Sequence, residues 1–447
     1  MSFKRIKSGI PGFDELISGG FVKGSIIVLA GNPGSGKTTF ASQFIYYGLQ
    51  HGEPGLYISF AETKEDFFQY MLRFGMDFRK YEDEGLFKYV EFLTLTDRDG
   101  VELFIGMLID TIMQFGIKRL VIDPISSLSP ILDKSKMRAL FHNALSKGIK
   151  PLGITSVIVA DLPYGAQTIG YGVEEFIADA VIVLKSRLER NKVFRYLEIK
   201  KMRGTKIVSG ELPFIISSKG VKVFTPIKPK LTGSYGAKMY TTGFKKLDQY
   251  MGGGIPSASS TLILGPSGAG KTLLCLNIFY ANLNKGLNVH YISFEEPAEQ
   301  LIFTLSKISK KVSKIDGLIE SINPSDTTWV ELRDYISKII ENTNPEIIIM
   351  DGLYSIEQEF GTRVFIDLVR EIIFDLKFRD KVLISTYMTS EPCGSDEIGH
   401  FFDNIIALIM RIEDQGLVRK LYICKTRAMK SSTRPLLVDF QLGDTNE

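Results

Sequence analysis

Short apolar runs punctuated by turn residues recur along this chain. The run Ser25-Ile26-Ile27-Val28-Leu29-Ala30 predicts a buried strand, and after a glycine-rich turn the apolar positions Phe40, Phe44, Ile45 and Leu49 predict a helix. His51-Gly52-Glu53-Pro54-Gly55 interrupts the pattern as a turn, and Leu56-Tyr57-Ile58-Ser59-Phe60 resumes it as a second strand. Strand, helix and strand in this order make a βαβ unit, hence a parallel sheet. Leu120-Val121-Ile122-Asp123 is a further short strand ending in an acid. Arg195-Tyr196-Leu197-Glu198-Ile199-Lys200-Lys201-Met202-Arg203-Gly204-Thr205 is a strand pattern ending in a basic cluster.

The same succession then occurs again. Thr261-Leu262-Ile263-Leu264, Tyr291-Ile292-Ser293-Phe294, Ile347-Ile348-Ile349-Met350-Asp351 and Leu421-Tyr422-Ile423-Cys424-Lys425-Thr426-Arg427 stand in matching order. Lys37 and Lys271 are 234 residues apart, as are Glu62 and Glu296; Asp123 and Asp351 are 228 apart, and Arg203 and Arg427 224. Order is kept with small deletions, so the halves are expected to share one α/β fold, each a mainly parallel sheet flanked by helices. A length of 447 residues would suggest about three domains, but the repeat argues for two. The Pro- and Gly-punctuated stretch Pro226 to Gly236 reads as an extended linker, which places the domains at 1–230 and 231–447.

Each half carries one eight-residue stretch with specific chemistry. Gly31-Asn32-Pro33-Gly34-Ser35-Gly36-Lys37-Thr38 and Gly265-Pro266-Ser267-Gly268-Ala269-Gly270-Lys271-Thr272 both match G-x-x-x-x-G-K-[ST] between a strand and a helix. Backbone N–H groups converge on a phosphate only if the chain turns tightly, which glycine permits at positive φ, and the helix that follows adds the positive end of its dipole. Lys37 and Lys271 then reach the β/γ-phosphates, and Thr38 and Thr272 the Mg²⁺ ion. Thr39 and Leu273, next in sequence, complete the expected ATP-binding sets. Asp123 and Asp351 suit a Walker B role, holding Mg²⁺ directly or through water. Glu62 and the pair Glu295-Glu296 follow strands at whose carboxyl ends ligands bind, which turns these acids toward the phosphates.

Composition narrows the partners. With 44% hydrophobic and 23% charged residues the chain can bury sizeable cores, and its net charge of +3 gives no global field for nucleic acid or membrane. Cys275, Cys393 and Cys424 lack metal-ligand spacing, so neither zinc nor disulfides are expected. No run of 18 apolar residues occurs, and basic Met1 to Lys7 is not followed by an apolar segment, so a cytoplasmic protein without a membrane partner is expected. His51, His142, His290 and His400 share no spacing and read as incidental; Trp329 reads as a packing residue. The opening segments Gly9-Ile10-Pro11-Gly12-Phe13-Asp14-Glu15-Leu16, with Gly19-Gly20, and Thr242-Gly243-Phe244-Lys245-Lys246-Leu247-Asp248, with Gly252-Gly253-Gly254, read either as loops near the nucleotide or as caps on the sheet.

At this point the chain resembles the KaiC family, double-domain ATPases of the RecA superfamily. The resemblance rests on the Gly9 to Leu16 segment, the first phosphate loop, Tyr171-Gly172-Val173-Glu174-Glu175-Phe176-Ile177-Ala178-Asp179 and Lys201-Met202-Arg203-Gly204-Thr205. It covers nearly the whole chain and implies two RecA-like P-loop domains, a homo-hexameric ring with ATP at subunit interfaces, slow hydrolysis to ADP and phosphate, and autophosphorylation in some members. It also implies that Lys201 and Arg203, and by a weaker match Lys425 and Arg427, reach the ATP of a neighbouring subunit. Arg427 is followed by Ala428-Met429 where the family pattern has Gly-Ser.

Two departures carry expectations of their own. The family has two consecutive glutamates after the Phe-ended strand; the second half keeps Glu295-Glu296, whereas the first has Ala61-Glu62. The first of the pair is expected to orient attacking water, so Glu295 is the preferred catalytic carboxylate with Glu296 in support, and the first site is expected to bind ATP firmly and hydrolyse it slowly. Clock-type members also carry an adjacent Ser-Thr acceptor pair before an acid that aligns with Asp403. Gly399 and His400 stand there instead, and nothing selects among Ser385, Thr386, Thr389, Ser390 and Ser395. No clock-type phosphorylation cycle is expected.

Two other readings share the nucleotide core. A RecA-like recombination or repair ATPase needs basic loops for DNA, but Lys307, Lys310, Lys311 and Lys314 alternate with Ile308, Val312 and Ile315 like the wet face of an amphipathic helix. Nucleic acid is not favoured as a partner. The third reading is a scaffold in which ATP holds a ring that presents a surface to a regulatory protein.

Overall fold

The computed structural model describes residues 4–92, 98–128, 141–162, 178–189, 191–207, 210–225, 235–308, 315, 317–390, 398–413, 416–427 and 434–437. The chain divides into two compact units, Met1–Thr225 and Pro226–Glu447. The linker stretch 226–234 lies outside the described residues, as do 171–177, Lys310, Lys311, Lys314, Cys393, Ser395, Ala428 and Met429.

The first unit opens with a small antiparallel ladder, β1 (Arg5–Ile6) against β2 (Phe21–Val22). Its main sheet contains β3 (Ile26–Gly31), β4 (Gly55–Ser59), β5 (Phe87–Glu91), β6 (Arg119–Asp123), β7 (Thr155–Asp161), β8 (Ala180–Glu189), β9 (Lys192–Met202), β10 (Glu211–Ser217) and β11 (Gly220–Val223). The spatial order is β11-β10-β9-β8-β3-β7-β6-β4-β5. Pairing is parallel from β8 through β5 and antiparallel from β8 to β11. β3 lies between parallel neighbours, and alternation sends its side chains into two cores. Ile27 and Leu29 join the helix Lys37–Gln50 through Phe40, Phe44, Ile45 and Leu49. Ile26, Val28 and Ala30 join the helix Arg98–Phe115 through Phe104, Leu108 and Ile112.

The second unit repeats this plan. After a ladder of β12 (Met239–Tyr240) and β13 (Ile255–Pro256) come β14 (Ser260–Gly265), β15 (Val289–Ser293), β16 (Ile319–Ser321), β17 (Ile347–Asp351), β18 (Val382–Met388), β19 (Asn404–Glu413), β20 (Gly416–Lys425) and β21 (Leu436–Leu437). Their order, β16-β15-β17-β18-β14-β19-β20-β21, is that of the first sheet strand for strand, apart from β11. Ile263 faces the core under the helix Lys271–Leu283; Leu262 and Leu264 face the one under Trp329–Thr343 and Thr362–Phe378, where Trp329 packs. Each unit is thus a three-layer α/β domain, the tandem RecA-like arrangement.

The opening segment of the first unit packs on the loop helix and on β11. Phe13, Leu16 and Ile17 are buried in the core, Pro11 O accepts from Val223 N–H at 2.9 Å, and a Cβ on Gly9 would meet Tyr47 near the far end of the loop helix. One chemical expectation needs correction. Cys275 is a buried free thiol, but Cys424 is disulfide-bonded. Spacing along the sequence cannot show which thiols the fold brings together.

Candidate functional site

Both phosphate loops form at the carboxyl end of a central parallel strand, where the connections to the two neighbouring strands diverge. In the first, Gly34 and Gly36 take φ of 73° and 96°, and Gly36 caps the helix that begins at Lys37. Gly268 and Gly270 repeat this at 76° and 99° before Lys271. The turn therefore uses the left-handed region twice in each loop, as an N–H cradle for an anion requires. Asn32 ties the loop to the next strand, donating from Nδ2 to Leu162 O at 2.8 Å. Pro33, Ser35, Pro266, Ser267 and Ala269 belong to the same two turns, Gly31 and Gly265 open them, and Thr39 is buried in the helix. Leu273 packs its side chain against the core, so what it can offer a phosphate is its backbone N–H.

The loop lysines fold back onto their own loops. Lys37 Nζ donates to Gly31 O and Asn32 O at 2.9 and 3.0 Å, and Lys271 Nζ to Gly265 O and Pro266 O, both at 2.9 Å. Lys37 has an additional anion, Asp161 Oδ1 at 3.2 Å. Asp161 ends β7 level with Gly31 and accepts from Ser126 Oγ at 2.5 Å. The level position in the second unit is Met388 beside Gly265. Burial lowers the pKa of Lys271, with Glu295 and Asp351 opposing.

Asp123 and Asp351 end the strands two places from the loop strand, each nearly enclosed. Asp123 Oδ2 accepts from Thr38 Oγ1 at 2.8 Å and from Tyr57 OH at 2.6 Å. Burial raises its pKa against the lowering effect of those two bonds. Asp351 accepts from Tyr291 OH at 2.6 Å and from Thr386 Oγ1, whose oxygen also accepts the Gly352 N–H at 2.8 Å. A hydroxyl and a carboxylate at one loop suit a hard cation. Among the described residues no cluster of three or more His, Cys, Asp or Glu could hold a metal ion.

A hydroxyl at the end of β4 and of β15 sets the glutamates. Ser59 Oγ accepts the N–H of Ala61 (3.2 Å) and Glu62 (2.9 Å), and Ser293 Oγ those of Glu295 (3.4 Å) and Glu296 (2.9 Å). Glu62 Oε2 is buried without a hydrogen-bond partner, and burial with the nearby Asp123 raises its pKa. Glu295 and Glu296 are raised by burial and by Asp351; Lys271 and Ser355 act in the other direction on Glu295. Glu295 lies against Gly352, where a Cβ would come 2.6 Å from its Cγ. Carboxyls raised in this way accept a proton more readily than exposed ones do.

The basic clusters stand at the other end of the sheet. Ile26 N–H at the start of β3 donates to Asp179 Oδ2 at 3.0 Å; Arg203 Nη1 is 3.5 Å from Asp179 Oδ1, and Lys150 Nζ is 2.7 Å from Oδ2. The second unit repeats this through Asp403. Ser260 N–H donates to it at 2.9 Å, Lys377 Nζ lies at 2.6 Å and Arg427 Nη1 at 3.5 Å. β3 rises by roughly 17 Å between Ile26 and Gly31 at ~3.3 Å per residue, so neither arginine stands at the loop of its own domain. Lys201 and Lys425 each sit beside a register shift, opposite Val181 and Ile405. Lys425 Nζ donates to Gly399 O at 3.1 Å, and its pKa is lowered by burial and by Arg427.

Sequence reading passed over Tyr57, Tyr291 and Asp161 as site residues and weighed Thr386 only as a phosphate acceptor. The tyrosines' shared 234-residue offset was a usable signal; a lone acid at a strand end was not.

Comparison with known proteins now adds to this geometry. A profile for the family described as "ATPase: KaiC" matches residues 6–228 and again 240–441. The chain is 31% identical over 438 residues to "Circadian clock protein KaiC3" of Synechocystis sp., covering 93% of this chain and 86% of that protein. It is 31% identical over 445 residues to "Circadian clock oscillator protein KaiC" of Picosynechococcus sp., covering 95% and 86%. With the protein of that name from Thermostichus vulcanus it shares 28% over 447 residues, covering 95% and 85%. Two matched domains, each with its own phosphate loop and strand-end acid, place this chain in the KaiC ATPase family.

Proposed function

We propose that this protein binds and hydrolyses ATP at two sites per chain, the nucleotides sitting at subunit interfaces of a homo-hexameric ring with a regulatory or signalling role. The domain boundary is taken near residue 231. Lys37, Thr38 and Asp123 hold Mg-ATP in the first domain, and Lys271, Thr272 and Asp351 in the second. Mg²⁺, when bound, offsets charge developing on the transferred phosphoryl oxygens. Glu295 orients the attacking water, with Glu296 in support, and Ala61 leaves the first site slower, with Glu62 as its remaining strand-end glutamate.

The observation that carries the reading is the separation of loop and basic cluster within each domain. Arg203 and Arg427 are anchored at the amino end of the sheet by Asp179 and Asp403, so their reach toward a nucleotide, and that of Lys201 and Lys425, is to a neighbouring copy. A cation supplied in trans can be worth ~10³ to 10⁵ in phosphoryl-transfer rate. Weak or absent clock-type autophosphorylation is supported by the buried Ser385 and by Thr386, whose hydroxyl is held between Asp351 and Gly352. A cytoplasmic location fits the described residues, in which no helix is long and apolar enough to cross a membrane. The relatives' clock names favour a regulatory protein partner over nucleic acid.

A second reading, an ATP-held scaffold with little turnover, is favoured by Ala61 alone. Phosphate release, with particle mass by light scattering with and without Mg-ATP, separates the two for wild type, Lys37→Ala and Lys271→Ala. Loss of the ring in Lys37→Ala and of turnover in Lys271→Ala is the expected result. Monomers throughout, with hydrolysis stimulated only by DNA, would overturn it in favour of a recombinase-like ATPase.

A further inference from the structure

A pair of buried tyrosines occupies the same place in each domain without a part in the function above. Tyr57 in β4 and Tyr291 in β15 are 1% and 0% exposed, and each donates its phenol to Oδ2 of the strand-end acid at 2.6 Å. The contact is set by register. Asp123 is level with Ser59 and Asp351 with Ser293, so each tyrosine lies two residues back on the same sheet face and leans along the strand to meet the carboxylate.

Packing explains the rings but not the hydroxyls. Tyr57 lies 4.6 Å from the Phe67 ring and Tyr291 6.0 Å from that of Phe279, surroundings that a phenylalanine would fill equally well. A hydroxyl taken out of water carries a cost unless it is bonded, and here it is bonded twice over, in two domains, to the acid at the end of the adjoining strand. In the first domain Asp123 Oδ2 also receives Thr38 Oγ1, so the phenol, the carboxylate and the loop hydroxyl form one chain of contacts.

We propose that Tyr57 and Tyr291 are positioning residues for the Mg²⁺-holding acids. Each phenol restrains the rotation of its carboxylate, in the first domain together with Thr38 Oγ1 and in the second together with Thr386 Oγ1, and so presets the acid for the ion or its water. The inference rests on the assignment of Asp123 and Asp351 to Mg²⁺. Outer partners that orient metal-holding side chains cost roughly 10- to 100-fold in metal affinity or activity when removed.

The test is Mn²⁺ binding, followed by electron paramagnetic resonance in the presence of a non-hydrolysable ATP analogue. Tyr57→Phe is measured in a Lys271→Ala background and Tyr291→Phe in Lys37→Ala, each against its own parent in the same assembly state by light scattering, so that each preparation reports one loop and loss of the ring cancels in the comparison. Expected is an analogue affinity in metal-free buffer that stays within about twofold, with Mn²⁺ bound about tenfold more weakly. Unchanged Mn²⁺ affinity alongside a lower metal-free melting temperature would make the hydroxyls packing groups and overturn the proposal. If the parent single-loop variants bind the analogue but no Mn²⁺, and Asp123→Asn or Asp351→Asn changes nothing, the Mg²⁺ role of the acids fails and the inference falls with it. Should one phenylalanine variant not fold, the other domain decides.

Discussion

The acids surrounding the two loop lysines are drawn from different strands. Around Lys37 stand Asp161 from β7 and Asp123 from β6; near Lys271 stand Glu295 from the turn after β15 and Asp351 from β17. Asp161 is half exposed, so its attraction for Lys37 is screened and worth at most about 1 kcal/mol. It still competes with phosphate for the same ammonium. Asp161→Asn in a Lys271→Ala background is expected to tighten ATP binding at the first site by about two- to fivefold, measured with a fluorescent nucleotide. Weaker binding would instead make Asp161 part of the nucleotide cradle. The lysine and threonine of each site were legible from a fixed local spacing, and the aspartate from an apolar run ending in an acid that recurs in both halves. Asp161 was not, because its approach to Lys37 comes from the pairing of β3 with β7, residues 130 apart at Gly31 and Asp161.

At the level of the elements, short connections aim the strand-end glutamates. Gly352 links β17 to the helix Leu353–Phe360 at φ 94°, and its missing Cβ makes room for Glu295. Gly352→Ala would press a methyl group on the glutamate and strain the backbone by roughly 1–2 kcal/mol. Turnover at the second site is expected to fall about 100-fold, within the range for a displaced acid–base group. Nucleotide affinity should change little, with steady-state phosphate release and an analogue titration as the paired readouts. A parallel loss of affinity would show that the whole loop had shifted. Strands and loop helices were readable from periodicity because their hydrophobic patterns are local. The register shifts beside Lys201 and Lys425 were not, since a bulge is defined only against a partner strand.

For the molecule as a whole, duplication and the position of the arginines matter most. If loop and arginine act across a subunit boundary, Lys271→Ala and Arg427→Ala are each deficient at the second site for a different reason. Mixed and reassembled with ATP, they are expected to regain part of the wild-type phosphate release, about a quarter for random pairing at the ring interfaces, because some interfaces then combine an intact loop with an intact arginine. No recovery in mixtures shown by light scattering to be rings would place Arg427 outside the reaction. The sequence by itself determined that the chain is a tandem α/β protein with two phosphate-loop motifs, because buried strand, glycine turn, lysine and helix are contiguous and their spacing is fixed by backbone geometry. Only the tertiary structure decided which acids meet each lysine, that a buried tyrosine holds each strand-end aspartate, that Cys424 is bonded, and that Arg203 and Arg427 lie at the far end of the sheet from the loops. Those relations depend on strand order and register, and both are settled by packing between residues far apart in the chain.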